Sequence, residues 1–198
     1  MPRASRFVLA LAVLALFVLP GCAALQQLAA LRTVTFAFSH LSDVRLAGIP
    51  LDKVTNFSSL GVVDLARLTA AVAARQVPLE LVAHVSATNP GENTVAARMV
   101  DCAWTLFVED RQALTGGLAG AVSIDPGKTA DVPLTVSLDL LQLGSGGARD
   151  LFDLALGIAG TGTIRKDLRL ELKPTIETPL GPIRYPVPVT VRRTAAGS

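Results

Sequence analysis

Apolar and polar residues alternate with a period of two along much of the chain. In residues 79–88, Leu79, Leu81, Ala83, Val85 and Ala87 share one face, and His84 falls on the more polar one. That period describes a half-buried strand. Asn89-Pro90-Gly91 ends it, because proline lacks a ladder donor and Asn and Gly accept turn dihedrals. Residues 95–108 resume as a strand with Cys102, Trp104, Leu106 and Val108 on one face. Residues 33–38 alternate as a first strand, which 44–50 extend or restart. Residues 56–76 change the period: Leu60, Val63, Leu68 and Val72 fall near helical spacing, and Ser58 or Ser59 can cap the start. Val77-Pro78 closes that helix, since the residue before proline is pushed out of the α region.

The second half repeats the strand pattern between turns. Glu109-Asp110-Arg111-Gln112 reads as a polar turn, residues 115–124 as a Gly-rich strand and Asp125-Pro126-Gly127-Lys128 as a tight turn. Val132, Leu134, Val136, Leu138 and Leu140 alternate again, with Pro133 marking an edge strand or a strand start. Gly144-Ser145-Gly146-Gly147 breaks the pattern. Residues 150–159 read as a short helix with Leu151, Leu154, Ala155 and Ile158 on one side. Leu168, Leu170 and Leu172 alternate, and residues 183–191 form a last strand after the connection Thr178-Pro179-Leu180-Gly181-Pro182. About seven short strands between turn signals predict an all-β sandwich with one or two inserted helices. The regular strand–helix alternation of a parallel α/β sheet is absent.

At the N-terminus, Arg3 and Arg6 precede an apolar run over residues 7–19, followed by Pro20-Gly21-Cys22. The run is well short of the ~20 residues that span a bilayer. A basic start, a short apolar core and a small residue before the cleavage point describe a secretory signal. Leu19-Pro20-Gly21-Cys22 resembles the bacterial lipobox, in which the cysteine is acylated and becomes the new N-terminus. This resemblance implies a lipoprotein signal peptide over residues 1–21 and an acylated Cys22 that holds the protein on a membrane. Each buried methylene of such an anchor contributes ~0.8 kcal/mol. Because residue 23 is Ala and not Asp, the bacterial sorting rule implies the outer membrane, with the domain facing the periplasm. Residues 22–32 then form the lipidated cysteine and an Ala/Leu/Gln-rich spacer, 33–193 one folded domain and 194–198 a tail.

Processing also alters the charge. Residues 1–21 contain Arg3 and Arg6 and no acid, so 18 basic residues become 16 against 16 acidic ones. A formally neutral chain with no basic stripe argues against nucleic acid as a partner. With Cys22 acylated, Cys102 has no intramolecular partner, which leaves it a small buried hydrophobe on a strand.

The apolar strand ending in Asn89-Pro90, then Trp104-Thr105-Leu106-Phe107-Val108-Glu109-Asp110, occur in a recognisable order. They continue through Thr115-Gly116 and Ile124-Asp125-Pro126-Gly127-Lys128 into Val132-Pro133-Leu134-Thr135-Val136, with Thr178-Pro179-Leu180-Gly181-Pro182-Ile183 later. This succession resembles the late embryogenesis abundant (LEA) group 2 family, also known for the water-stress and hypersensitive-response (WHy) domain, over roughly residues 33–192. The resemblance implies an immunoglobulin- or fibronectin-III-like β-sandwich, no enzymatic activity, no cofactor and a link to desiccation and stress tolerance. Gly91-Glu92 departs from the family pattern, where a second Asn often follows Asn-Pro, and the Gly-rich segment 144–149 is particular to this chain.

Catalytic and metal-binding arrangements find little support. His40 and His84 are the two histidines, and a metal site would need further N or S ligands, of which Cys102 alone is left. The Gly-x-Ser-x-Gly elbow of serine hydrolases is missing. Gly160-Thr161-Gly162 lacks the third glycine of a dinucleotide loop, and no Lys-Ser/Thr follows Gly144-Ser145-Gly146-Gly147. Asp101, Glu109 and Asp110 read as solvated carboxylates, and Asn89-Pro90 as a structural turn. Leu140, Leu151, Leu154 and Ile158 either close one end of the sandwich core or line a cleft that takes an acyl chain. The expectation is therefore a non-enzymatic, membrane-anchored envelope module that protects or binds during stress. The alternatives are a lipid carrier using that cleft and a scaffold that holds a protein partner along an edge strand.

Overall fold

In the computed structural model, residues 34–162, 164–177 and 181–193 are described; the lipobox with Cys22, the spacer 22–32, the tail 194–198 and residues 178–180 lie outside them. Among the described residues the strands are β1 (Thr35–Leu46), β2 (Ile49–Pro50), β3 (Pro78–Thr88), β4 (Ala97–Val108), β5 (Arg111–Gly116), β6 (Val122–Ile124), β7 (Thr129–Asp139), β8 (Leu168–Ile176), β9 (Ile183–Arg184) and β10 (Val189–Arg193). They form two antiparallel sheets. One has the order β2-β1-β3-β7 and the other β10-β8-β4-β5, with β6 also on β4 and β9 also on β8. The fold is an all-β sandwich with inserted helices.

Alternation decides which side chains meet between the sheets. On β3 residues 79, 81, 83, 85 and 87 are buried, and on β7 residues 132, 134, 136 and 138. They face Trp104, Leu106 and Val108 of β4 and Leu168, Leu170 and Leu172 of β8 in one core. On β4 the parity changes, since Met99 and Cys102 are both buried. A register shift against β8 between Met99 and Asp101 absorbs the odd spacing, as a bulge does. Pro133 sits within β7 opposite His84, on a strand paired only to β3, so the edge alternative holds.

The turns follow their sequences. Glu109 and Asp110, with φ of 51° and 60°, make a two-residue hairpin that sets Val108 opposite Arg111. The Glu109 carboxylate is not simply solvated, as its Oε1 accepts from Asp167 N at 3.0 Å while Glu109 N donates to Asp167 O at 3.0 Å. These two bonds hold a left-handed conformation that glutamate otherwise disfavours. At Asp125–Lys128, Lys128 N donates to Asp125 O at 3.0 Å with Gly127 at φ 70°, the arrangement of a type II turn.

Two long strands expected from the sequence are each broken in two. Residues 115–124 split into the end of β5 and β6, because the backbone at Gly116 lies against the indole of Trp104 and a Cβ there would overlap the ring. Trp104 Nε1 donates to Gly117 O at 3.1 Å, which fixes the crossing. Residues 183–191 split into β9 and β10 around Pro186 and Pro188, neither of which can donate to a ladder.

The first helix differs from its reading. It is α1 (Val62–Ala73), preceded by a separate 3-10 turn, Phe57–Ser59. Ser58 and Ser59 do not cap it, being already inside that turn, which Asn56 caps by accepting from Ser59 N at 3.0 Å. Val63 does not join its buried face: Val62 and Val63 are 86% and 70% exposed, and Leu68 is the residue of α1 that is buried. The second helix, α2 (Ala148–Ala159), buries Leu151, Phe152, Ala155, Leu156 and Ile158. Phe57 meets Phe152 edge to face at 5.6 Å, so the 3-10 turn packs on α2. Among the described residues no helix is long and apolar enough to cross a membrane.

Candidate functional site

Among the described residues, Asn89 is the buried polar one, with no exposed surface. It follows directly on β3, where Pro90 stops the ladder. Its Nδ2 donates to Ile124 O at 2.8 Å and to Val95 O at 3.2 Å, and its Oδ1 accepts from Asn93 Nδ2. Asn89 N donates to Lys128 O, and Gly127 N donates to Asn89 O, both at 2.9 Å. One side chain and its backbone thus tie the β3–β4 loop to the β6–β7 turn. Every bond of this set is internal, which describes a structural clamp.

The four residues proposed for an acyl cleft are placed differently from one another. Leu140, Leu151 and Ile158 are buried in the core cluster, and Leu154 is half-buried at the surface of α2. A depression of about 390 Å³ beside α2 is lined by Leu154, Leu156, Ile164, Asp150, Asp153 and Lys166, without the other three. Phe152 and Leu156, which the helical reading of 150–159 passed over, are fully packed. A wider and more open groove of about 660 Å³ runs between Ala70, Ala71 and Ala74 of α1 and the ends of β3 and β7 at Pro78 and Leu138.

Cys102 is buried and unbonded to sulfur, and burial pushes its thiol pKa up to about 12, with Asp101 adding to the rise. Among the described residues, no group of three or more His, Cys, Asp or Glu side chains is placed to hold a metal.

The solvent face of the β1-β3-β7 sheet holds polar groups that the sequence reading did not connect. His84 Nδ1 lies 2.7 Å from Asp131 Oδ2, and His84 Nε2 lies 3.0 Å from Ser42 Oγ. The His40 ring stacks on His84 with centroids 4.2 Å apart and planes 5° from parallel. Next along the sheet, Ser86 Oγ donates to Ala37 O, and the Thr88 and Thr129 hydroxyls lie 2.8 Å apart. Ser42 and Asp131 lie 42 and 47 residues from His84 in the chain, so only the strand register brings the three together.

No protein-family model matches the chain, and no curated protein is similar to it. It is similar to several solved structures. One is a protein from Archaeoglobus fulgidus, with 14% identity over 82% of this chain and 94% of that one and a TM-score of 0.36. Another is a protein from Arabidopsis thaliana, with 21% identity over 60% and 70% of the two chains and a TM-score of 0.40. A third, with 14% identity over 94% and 86% and a TM-score of 0.35, is described as a late embryogenesis abundant (LEA) protein.

Proposed function

We propose that the chain is a membrane-anchored bacterial envelope module, related to LEA type 2 domains, that protects or binds other components under desiccation or similar stress. The lipobox-like Leu19-Pro20-Gly21-Cys22 supports the anchor, and the ordered motifs from Asn89-Pro90 to residue 183 support the relationship. The observation that carries the mode of action is the burial of Leu140, Leu151 and Ile158 in the core, where they line no open cleft with Leu154, together with an outer sheet face of Ser, Thr, His and Asp residues. A carrier needs an apolar space for its cargo. A protective module needs only a stable body and a polar exterior that stays soluble when water is scarce.

The test is a drying assay with the mature acylated chain. A dehydration-sensitive enzyme dried with it should recover more activity than the same enzyme dried with an equal mass of serum albumin. Recovery no better than with albumin refutes protection. Native mass spectrometry of the same preparation that returned one defined, non-covalent lipid per chain would replace this reading with lipid carriage.

A further inference from the structure

We propose that Ser42, His84 and Asp131 form a nucleophilic site that accepts the acyl group of an unhindered carboxylic ester. The proposal goes beyond the protective reading and stands independently of it. Its basis is connectivity: carboxylate to imidazole at 2.7 Å, and the far nitrogen of the same imidazole to a serine hydroxyl at 3.0 Å. An ionised Asp131 can only accept, so it holds the proton of a neutral imidazole on Nδ1. Nε2 then presents its lone pair to Ser42 Oγ. Nucleophile, base and orienting acid therefore stand in the order that activates serine on unrelated folds.

The surroundings favour that order. His84 is 17% exposed and Asp131 53%, so the base is shielded while its orienting acid reaches water. The parallel His40 ring covers one face of His84 and limits its rotation. Ser42 is the last paired residue before a bulge in β1: the register against β3 shifts between Ser42 and Arg45, where pairing resumes, and Asp43 takes φ 52°. Bulges of this kind re-aim a side chain. A depression of about 510 Å³ follows Ser42 in the chain, along Asp43, Val44, Arg45, Pro50, Asp52 and Lys53; Ser42 itself does not line it, and its hydroxyl is reached from the open sheet face. Ser42 Oγ has a second acceptor in Asp43 Oδ2 at 3.1 Å, which competes with His84 for the hydroxyl proton.

In the reaction, Ser42 Oγ attacks the ester carbonyl and its proton passes to His84 Nε2. The C–O bond to the alcohol breaks, and the alcohol leaves with that proton. Water, deprotonated by the same nitrogen, then releases the acid and restores Ser42. No oxidant or cofactor enters this balance. The site lies on an open sheet face, so it admits esters borne on a polymer or surface as well as small ones.

The experiment treats the full chain with 4-nitrophenyl acetate and maps acetylation peptide by peptide. Ser42 should be the acetylated serine, ahead of Ser39, Ser86 and Ser137. Since general-base assistance contributes ~10²-fold, His84→Gln should slow acetylation of Ser42 about 100-fold. Asp131→Asn should slow it at least about tenfold, Asp43→Asn should speed it, and Ser137→Ala should leave it unchanged. All these side chains lie outside the core, and matching circular-dichroism melts confirm that the variants fold. Acetylation spread evenly over the serines, or a Ser42 rate unaffected by His84→Gln, overturns the proposal.

Discussion

At the scale of single residues, burial with complete hydrogen bonding separates structure from chemistry. Asn89 makes three side-chain bonds with no exposed surface, and two of its acceptors are backbone carbonyls. A buried polar group left unpaired costs ~1–3 kcal/mol, so Asn89→Ala should destabilise the domain by roughly 3 kcal/mol in urea unfolding. Asn89→Asp should be at least as harmful, because it turns a carboxylate oxygen toward the carbonyls of Val95 and Ile124. A stable Asp variant would show that the amide donors are dispensable. Cys102 gives a second residue-scale prediction. Its folded pKa is raised to about 12, mainly by burial, above the ordinary thiol value that the unfolded chain would show. The unfolded chain therefore loses its proton first on going alkaline, and the contribution of Cys102 to stability, full below the unfolded pKa, declines as pH rises toward 12. Ellman's reagent at pH 8 should leave Cys102 untouched in the native chain and modify it after unfolding; rapid native modification would contradict the burial. The end of β3 before Asn89-Pro90 and the burial of Cys102 were both legible, from Asn-Pro after an alternating run and from strand parity. Ser42 and Asp131 were not, because each is an ordinary polar residue on a solvent face until the register places it beside His84.

Elements were legible where one face is buried and the other wet. β3 and β7 follow strict alternation, and the structure keeps their expected apolar positions inside. The reading failed where backbone contacts, and not burial, set the boundaries: at Gly116 under Trp104, at the prolines before β10, and at α1, whose 3-10 lead-in uses the serines expected to cap it. The helical reading of 150–159 found the element but placed Leu154 too deep and missed Phe152, since α2 packs against the 3-10 turn as well as the sheets. What joins α2 to the sandwich is long-range. Gly160 closes the helix in a left-handed conformation, and Arg193 on β10 donates to the carbonyls of Ile158, Ala159 and Lys166. A cation at a helix C-terminus meets both the unpaired carbonyls and the negative end of the dipole. Charge-assisted bonds of this type contribute more than neutral ones, so Arg193→Ala should cost roughly 2 kcal/mol. Arg193→Lys should recover only part of it, since an ammonium cannot fork across three carbonyls. Hydrogen exchange should report the loss locally, with amides of residues 156–162 exchanging faster while those of β3 change little. A uniform rise across both elements would show instead that Arg193 supports the whole fold.

Across the whole molecule, the chain's course gives the sandwich two unlike ends. Thr35 pairs with Thr88 and Thr88 with Thr129, so the start of β1, the Asn89 clamp and the Asp125–Lys128 turn share one end. Leu46 pairs with Leu79 and Pro78 with Asp139, which puts α1, and a second 3-10 turn, Leu140–Gln142, that leads toward α2, at the other. The Glu109–Asp110 hairpin joins that far end through Asp167, beside β8 and β10. If Cys22 is acylated, the segment between it and Val34 spans at most ~40 Å even when fully extended. β1 itself is about as long, at ~3.3 Å per residue. Because that tether joins the body at the start of β1, an acylated Cys22 would bring the clamp end nearer the lipid, with the helices and the exposed Val62 and Val63 at the other end. On such an anchor those valines would face away from the bilayer, where a protein could meet them. Fluorophores on Thr129→Cys and Asp110→Cys, placed one at a time on the acylated chain in vesicles, distinguish the orientations. A quencher carried on lipid headgroups should dim the Thr129 site markedly and the Asp110 site little, and free quencher in solution should reach both. Equal dimming by the lipid-borne quencher would mean that the sandwich lies along the membrane, which would turn the Ser42–His84–Asp131 face or its opposite toward the headgroups.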